Sequence, residues 1–281
     1  MINKHLLVSG ADYFADEFKI NPYYSDSEIN LEKAKQEHAD IINCFKKANI
    51  SITKVEPPVG CQDGVYTANW AVICGNKAIL ACLPKARKAE EPYAEKILRD
   101  LGYETIKAPE NCLFSGQGDC LICGDYVFAG NGYRSDKPAQ EFVAKTFNKK
   151  LIQLHTIPQL DENGNPYTNP VTNHADSFFY DLDLALSIIS ENCIAYCKEA
   201  FDEESQKLLE SLPIDKILVD FEEATKGFAC NLVSTGKTVI MSNHAPKFQK
   251  ELESRGLTCL TPEVSELKKG GGYIRCISLA I

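Results

Sequence analysis

The feature that most constrains the fold is a two-residue turn signal that recurs between short apolar runs. Such pairs, flanked by strand-like segments, are typical of β-hairpins. The signal occurs at four places: Gly75-Asn76, Gly124-Asp125, Glu191-Asn192 and Gly236-Lys237. The intervals between them are irregular. Residues 6–8 near the N-terminus and 273–281 at the C-terminus read as strands that together complete a fifth unit.

Apolar runs flank each turn, and amphipathic segments lie between the hairpins. The predicted strands are residues 71–74, 78–83, 120–123, 126–129, 182–189, 232–233 and 238–241. The predicted helices are residues 31–48, 91–101, 138–147, 202–212 and 246–255. The order strand, strand, helix, strand repeats about five times. It predicts an α/β protein, built either as a closed ring of small modules or as an open sheet. No Pro/Ser-rich linker divides the chain, so we expect one domain over residues 1–281.

Charge and composition exclude several classes of partner. The net charge is −9, which disfavours nucleic acid and anionic membrane surfaces. No apolar run approaches membrane-spanning length, and the N-terminus lacks the apolar core of a signal peptide. Twelve cysteines without a secretory signal indicate reduced thiols and a cytoplasmic protein. The sequence is compatible with a homo-oligomer and does not decide the oligomeric state.

Four short segments carry candidate chemistry. Cys276 follows the glycines 270–272, and His174 stands two residues before Asp176, after a long loop rich in Asn, Pro and Gly. The other two are residues 63–69, with a carboxylate and an amide, and 116–119, with a carboxylate after a glycine-rich turn. Each is weak alone. Together they supply a thiol, an imidazole, carboxylates and an amide, which suit nucleophilic catalysis on a cation. Their spacing does not show that they converge.

These segments, in this order, resemble the guanidino-group-modifying pentein superfamily. The resemblance is strongest to its arginine dihydrolase and dimethylarginine dimethylaminohydrolase branch, which is related to the amidinotransferases. It covers nearly the whole chain through residues 19–22, 63–69, 116–119, 129–136, 174–176, 228–231 and 270–276. The resemblance implies a five-bladed, pseudo-symmetric αβ propeller, the pentein fold, which suits the repeated hairpins.

The resemblance also implies a role for each candidate residue. Cys276 looks like the nucleophile and His174 like the general acid and base. The remaining roles concern the substrate: Asp63 and Asp176 as the guanidinium clamp, Asn69 as an amide beside it, Arg87 and Arg134 on the α-carboxylate, and Asn21 near the amino-acid end.

The chain departs from the family at two positions. Ser115 stands where the family has a catalytic glutamate, so His174 loses its expected carboxylate partner. Asp119, four residues later, could take that role if the glycine-rich loop brings it close; otherwise the chain is a weak enzyme, uses another substrate, or is a pseudoenzyme that binds guanidines. Ala175 replaces a usual leucine, which alters packing rather than chemistry.

The implied reaction is the hydrolysis of a guanidinium carbon by a cysteine. Two carboxylates fix the plane of the cation, and the cation favours the thiolate form of Cys276. Attack gives a covalent thiouronium, and water then releases a ureido product, after one hydrolytic step or two. No metal or organic cofactor is needed. The substrate is arginine or a methylated arginine; an amidinotransferase, a binding pseudoenzyme and an unrelated fold are the alternatives.

Overall fold

The computed structural model describes residues 2–24, 28–171, 173 and 175–281. Five three-stranded sheets carry the fold. In chain order the strands are β1 His5–Val8, β2 Ser51–Lys54, β3 Ala71–Cys74, β4 Lys77–Leu80, β5 Glu104–Lys107, β6 Cys120–Cys123, β7 Tyr126–Asn131, β8 Lys150–His155, β9 Leu186–Ser190, β10 Cys193–Tyr196, β11 Asp215–Leu218, β12 Val233–Ser234, β13 Thr238–Ile240, β14 Thr258–Leu260 and β15 Leu279–Ala280.

Each sheet has the same topology. The first strand pairs antiparallel with the second, through a tight turn in four of the sheets, and the second pairs parallel with the third. A parallel pair needs a crossover, and a helix supplies it in every unit. The helices are α1 Leu31–Lys47, α2 Glu90–Asp100, α3 Lys137–Thr146, α4 Glu203–Ser211, the short α5 Phe221–Thr225 and α6 Pro246–Ser254.

The ring closes between the two ends of the chain. The fifth sheet has the order β15-β1-β2, with Leu6 opposite Ala280 and Leu7 opposite Leu279. The first strands of neighbouring sheets contact one another, β6 with β9, β9 with β12 and β15 with β3. The fold is therefore the five-fold pseudo-symmetric αβ propeller, and the prediction of a fifth unit from both termini is confirmed.

Two predicted strands are shorter than the sequence suggested. Residues 182–184 form a 3₁₀ turn, and β9 begins only at Leu186. Residues 273–278 form turns, so Cys276 precedes the last strand rather than starting it. In both units, polar side chains therefore lie in a tight turn that immediately precedes the first strand of a sheet.

Buried apolar side chains fill the space between sheets and helices. The largest fully buried ones include Trp70, Tyr196 and Tyr273. Helix α1 packs Ile41 and Phe45 inward, as its 3.6-residue periodicity predicts. Within the described part of the chain, no helix is long and apolar enough to cross a membrane.

Candidate active site

Cys276 lies in the turn before β15, where its thiol contacts two polar side chains. It is 3% exposed. Its S–H donates to Asp183 Oδ2 at 3.4 Å, and Asn231 Nδ2 donates to its Sγ at 3.1 Å. Burial, followed by the charges of Asp183 and Asp181, raises the pKa of the Cys276 thiol well above its usual value. A thiolate therefore requires either removal of the proton by a neighbour or the arrival of a cation.

Asn231 also holds the turn that carries the thiol. Its Oδ1 accepts the main-chain N–H groups of Tyr273, Arg275 and Cys276 at 3.0–3.2 Å. One buried amide thus fixes both the backbone before β15 and the donor that faces Sγ. This residue lies in the segment 228–231 of the family resemblance, but the sequence assigned it no role.

Side chains from elsewhere in the chain pack closely against the glycines that precede Cys276. Gly271 has φ +86°, in the left-handed region, and the amide of Asn21 lies against it so closely that a Cβ would come within 2.5 Å. A Cβ on Gly272 would meet the Tyr66 ring at 2.4 Å and Cys276 Cβ at 2.9 Å. The groups that approach these glycines most closely are therefore Asn21 and Tyr66.

A small inner pocket opens beside the thiol. Asp63, Asn69, Arg87, Arg134 and Cys276 line it, together with Asn21, Ile20, Tyr66, Tyr180, Gly270 and Gly272. Its volume is about 10 Å³, the space of a single water molecule. The structure thus brings six of the nine predicted site residues to one pocket.

The carboxyl group of Asp63 is held from one side by phenol and amide donors. Tyr24 Oη donates to Oδ1 at 2.6 Å, and Gln62 Nε2 donates to Oδ2 at 3.4 Å. Burial raises the pKa of Asp63, and the nearby guanidinium of Arg87 opposes that rise. A cation bound in the pocket would supply a positive counter-charge to Asp63 and favour its ionised form.

Arg87 is bound on all sides by groups of the protein. It forms a bidentate ion pair with Glu90, at 2.8 and 2.7 Å, and donates to Asn69 Oδ1 at 2.7 Å. Its Nη2 also donates to the carbonyl oxygens of Asp63 and Tyr66. Burial works against the charge, but the Glu90 carboxylate raises the pKa of Arg87 above its usual value. The sequence assigned Arg87 to a substrate carboxylate; in the structure its donors hold the wall of the inner pocket.

Ser115, the position that departs from the family, bonds to a carboxylate from another unit. Its hydroxyl donates to Asp181 Oδ1 at 2.8 Å, and Asn69 Nδ2 donates to Asp181 Oδ2 at 2.7 Å. Asn69 Nδ2 also reaches Ser115 Oγ at 2.8 Å. A Cβ on Gly118 would lie 2.4 Å from Asn69 Nδ2 and 2.6 Å from Asp181 Oδ2, so a larger residue there would displace these two side chains. A carboxylate is therefore present beside position 115, supplied by Asp181.

Asp119 stabilises the turn that carries Asp181 and Asp183. Its Oδ1 accepts the main-chain N–H of Leu182 at 2.9 Å, between Asp181 and Asp183. Burial raises the pKa of all three carboxyl groups, and each of Asp119 and Asp183 is raised further by the charge of Asp181. The sequence assigned Asp119 as the partner of His174; the contact that the structure provides is to the turn before β9.

A larger outer pocket adjoins the inner one. Its volume is about 270 Å³, and it shares Ile20, Arg134 and Tyr180 with the inner pocket. The Arg134 guanidinium lies 4.7 Å from the centre of the Tyr180 ring and donates to the Ile20 carbonyl at 2.6 Å. Asp176 lines this pocket and accepts from Asn169 Nδ2 at 2.8 Å. Asp176, predicted to clamp a guanidinium with Asp63, thus lines the outer pocket and is absent from the inner one.

His174 lies outside the described residues, so its predicted role stays a prediction. Among the residues that the structure does describe, the side chains that contact Sγ come from Asn231 and Asp183. The sequence missed Asp181 and Asp183. A signal was present: polar residues of two other units, Asn69 and Ser115, also stand at 3₁₀ turns before a first strand.

Comparison with known proteins identifies the family of this chain. The model of the family described as "N,N dimethylarginine dimethylhydrolase, eukaryotic" matches residues 11–281. The N(G),N(G)-dimethylarginine dimethylaminohydrolase of Mycobacterium tuberculosis is 29% identical over 96% of this chain and 83% of its own length. The bifunctional arginine dihydrolase/ornithine cyclodeaminase ArgZ of Synechocystis sp. is 27% identical over 98% of this chain and 37% of its own. This chain therefore spans little more than a third of that relative.

Solved structures show the same fold. The N-terminal domain of ArgZ bound to substrate, from an arginine dihydrolase of cyanobacteria, matches with a TM-score of 0.87 and 25% identity, covering 98% of this chain and 97% of that one. The same domain has also been solved with a covalently bound reaction intermediate. A dimethylarginine dimethylaminohydrolase of Pseudomonas aeruginosa matches with a TM-score of 0.77 at 16% identity, a likeness of fold alone.

Proposed function

Since the chain belongs to the N,N-dimethylarginine dimethylhydrolase family, we propose that it is a cysteine hydrolase of the guanidinium group of arginine or an Nω-substituted arginine. Residues 1–281 act as one catalytic domain, and Cys276 is the nucleophile. The observation that carries the proposal is the buried thiol between a carboxylate and an amide donor, at the bottom of a pocket lined by Asp63.

Charge distribution supports an amino-acid substrate. The outer pocket is lined by the basic groups Lys85 and Arg134 and by the acidic Asp176, which suits the α-carboxylate and α-ammonium of an amino acid. The guanidinium then points inward, where Asp63 and the carboxylates behind Asn69 favour a cation. Because the inner pocket holds only about 10 Å³, Arg134 and Tyr180, which line both pockets, must shift for the substrate to enter.

The reaction proceeds in two halves. The thiolate of Cys276 attacks the guanidinium carbon, and the protonated leaving nitrogen departs as ammonia or an amine, which leaves a thiouronium on the sulfur. Water then attacks the same carbon, and the ureido product leaves. Asn231 Nδ2, 3.1 Å from Sγ, stabilises the thiolate at the start and the end of the cycle. The family resemblance implies His174 as the acid and base, and this role stays a prediction.

The test is a panel of guanidino compounds. Arginine, its mono- and dimethylated forms and a guanidine without the amino-acid end are incubated with the protein, and ammonia, methylamines and ureido product are measured. Product from an amino-acid guanidine, with none from the truncated one, supports the proposal. If every compound is returned unchanged, the chain is not a hydrolase of this class.

A second candidate function is guanidine binding without turnover. The observation that favours it is Ser115, whose hydroxyl bonds to Asp181 at the place where the family has a glutamate. Calorimetric binding of arginine without ammonia release would identify this case. Ser115→Glu then serves as a gain-of-function probe: it raises turnover if the missing glutamate limits the enzyme, and it lowers turnover if Asp181 already serves.

A further inference from the structure

The carboxyl group that touches the nucleophile is Asp183, to which neither the sequence nor the family resemblance gave a role. Its side chain is 1% exposed, and its Oδ2 accepts the Cys276 S–H at 3.4 Å. Its Oδ1 is buried and has no hydrogen-bond partner among the residues that the structure describes. A buried carboxylate with one oxygen on a thiol and the other unsatisfied costs stability, so its retention calls for a reason.

Asp183 also stands between two cavities. It lines a central cavity of about 110 Å³, formed by residues of the first strands of four sheets and of the segment before β12, while Cys276 lines the inner pocket. A volume of that size holds several water molecules. Polar groups of Gln117 and Arg275 line the same cavity. The contact between Asp183 and Cys276 therefore joins the substrate side of the site to the centre of the propeller.

We propose that Asp183 is the proton-transfer residue of Cys276, which takes the thiol proton as the sulfur attacks and returns it to the leaving nitrogen. The inference deepens the proposed function and rests on it. In the first half, the S–H proton moves to Asp183 while the S–C bond forms. The proton then passes to the nitrogen whose bond to carbon breaks, so that neutral ammonia or amine leaves and the thiouronium keeps the positive charge.

The second half requires a proton to leave the site. Addition of water to the thiouronium gives up one proton to the Asp183 carboxylate, and loss of thiolate leaves a protonated carbonyl oxygen whose proton re-forms the thiol. One proton remains on Asp183, since the cation has become a neutral ureido group. The inner pocket is filled by product at this stage. The central cavity offers Asp183 a route for that proton which does not cross the substrate.

Charged and titratable groups face Asp183 from each neighbouring turn. Asp181 lies on its own turn, Asp119 on the turn before β6, and Arg275 and Cys276 on the turn before β15. Burial raises the pKa of Asp183 well above the usual carboxyl value, Asp181 raises it further, and Arg275 opposes the rise. A raised carboxyl pKa lies closer to pH 7, and a group with such a pKa can both take and return a proton at that pH.

The test combines turnover with alkylation of the thiol in the full-length protein. Asp183→Asn keeps the shape and removes the charge. We expect kcat to fall about 10²–10⁴-fold, the scale of general acid–base catalysis, with a smaller change in KM. Iodoacetamide labelling of Cys276 is measured across pH by peptide mass spectrometry. In Asp183→Asn the midpoint of the pH dependence of labelling should move to lower pH, because the negative neighbour that opposes the thiolate is gone. Loosened packing would raise the labelling rate at every pH without moving the midpoint.

Three controls complete the experiment. Asp125→Asn, in the exposed turn between β6 and β7, should change neither readout. Asp183→Ser gives the same two readouts if the asparagine variant does not fold. His174→Ala tests the rival hypothesis that His174 transfers the proton. If this variant stops turnover while Asp183→Asn keeps turnover within threefold of wild type, the inference is overturned. An unchanged labelling midpoint in Asp183→Asn overturns it as well. If wild type hydrolyses no guanidine but the midpoint still shifts, the proposed function fails while proton exchange between Asp183 and Cys276 stands.

Discussion

Replacing Arg87 by methionine removes a buried cation and keeps most of the apolar length of the side chain. The guanidinium makes five hydrogen bonds of 2.7–3.2 Å, to both carboxylate oxygens of Glu90, to Asn69 and to two main-chain carbonyls. Arg87 and Glu90 are 5% and 1% exposed, so water does not replace either partner when the other is lost. The variant leaves a carboxylate buried without its counter-charge.

The size of the effect follows from this burial. Removing one partner of a buried ion pair costs about 3–5 kcal/mol. Trp70 Nε1 donates to Glu90 Oε2 at 2.9 Å and lessens the cost, so we expect the lower end. A loss of about 3 kcal/mol in the free energy of unfolding, at roughly 2–4 °C per kcal/mol for a chain of this size, lowers Tm by roughly 6–12 °C.

Thermal unfolding of Arg87→Met, Glu90→Gln and the double variant measures this directly. The double variant should lose less stability than the two single losses added, because it leaves no uncompensated charge. Lys88→Met is the matched control: its ion pair with Glu91 is exposed, so its loss should cost under about 1 kcal/mol. If Arg87→Met melts within about 2 °C of wild type while KM for arginine rises about tenfold, Arg87 serves the substrate and its structural role is refuted.

Four further predictions concern the acidic and nucleophilic groups of the site. Cys276→Ala should lose turnover by about 10⁴-fold or more and still bind arginine in calorimetry; residual activity of a few per cent would point to another nucleophile. Asp63→Asn and Asp176→Asn should each weaken arginine binding roughly tenfold or more, because each variant loses a charge-assisted hydrogen bond, to the guanidinium at Asp63 and to the α-ammonium at Asp176; two unchanged Kd values would remove both contacts. Asp119→Asn should lower ammonia release by about two to four orders of magnitude; unchanged release would show that this carboxylate has no part in catalysis. Because the folded-state pKa of Asp183 is raised, its contribution to stability is present below the ordinary carboxyl pKa and is lost as pH rises towards the folded value. Tm of wild type minus Tm of Asp183→Asn should therefore fall as pH rises above the ordinary carboxyl pKa, and a difference independent of pH would contradict the raised pKa.

Local patterns in the sequence were sufficient for the elements and for the fold. The five longer helices lie within one or two residues of their predicted bounds, because each has an apolar stripe and an end signal, such as Asn30 and Asp202 at N-caps. Residues 182–189 show where local pattern fails. Leucines alternate with other residues there, which reads as a strand, but Asp119 accepts the N–H of Leu182 and holds a 3₁₀ turn. That contact spans 63 residues and has no local signature.

The same long-range closure explains which site residues the sequence found. Cys276, Asp63 and Asn69 lie in turns whose motifs resemble the family, and the ring brings them to one pocket. The sequence assigned no role to Asp183, the carboxylate beside the thiol, because residues 182–189 have the pattern of a strand and carry no motif of the family resemblance. Only the position of β9 in the ring shows that its entry turn faces Cys276.

The buried charges of the site are not balanced by the protein itself. The buried acidic side chains in and around the site outnumber the basic ones: Asp63, Glu90, Asp119, Asp176, Asp181 and Asp183 stand against Arg87, Arg134 and Arg275. In a medium from which water is excluded, such an excess raises carboxyl pKa values and favours a cationic ligand. Hydrolysis of a guanidinium turns that ligand into a neutral ureido group. The excess of negative charge that attracts the cationic substrate therefore does not hold the neutral product. The proton left on the carboxyl cluster neutralises part of its negative charge until that proton exchanges with solvent.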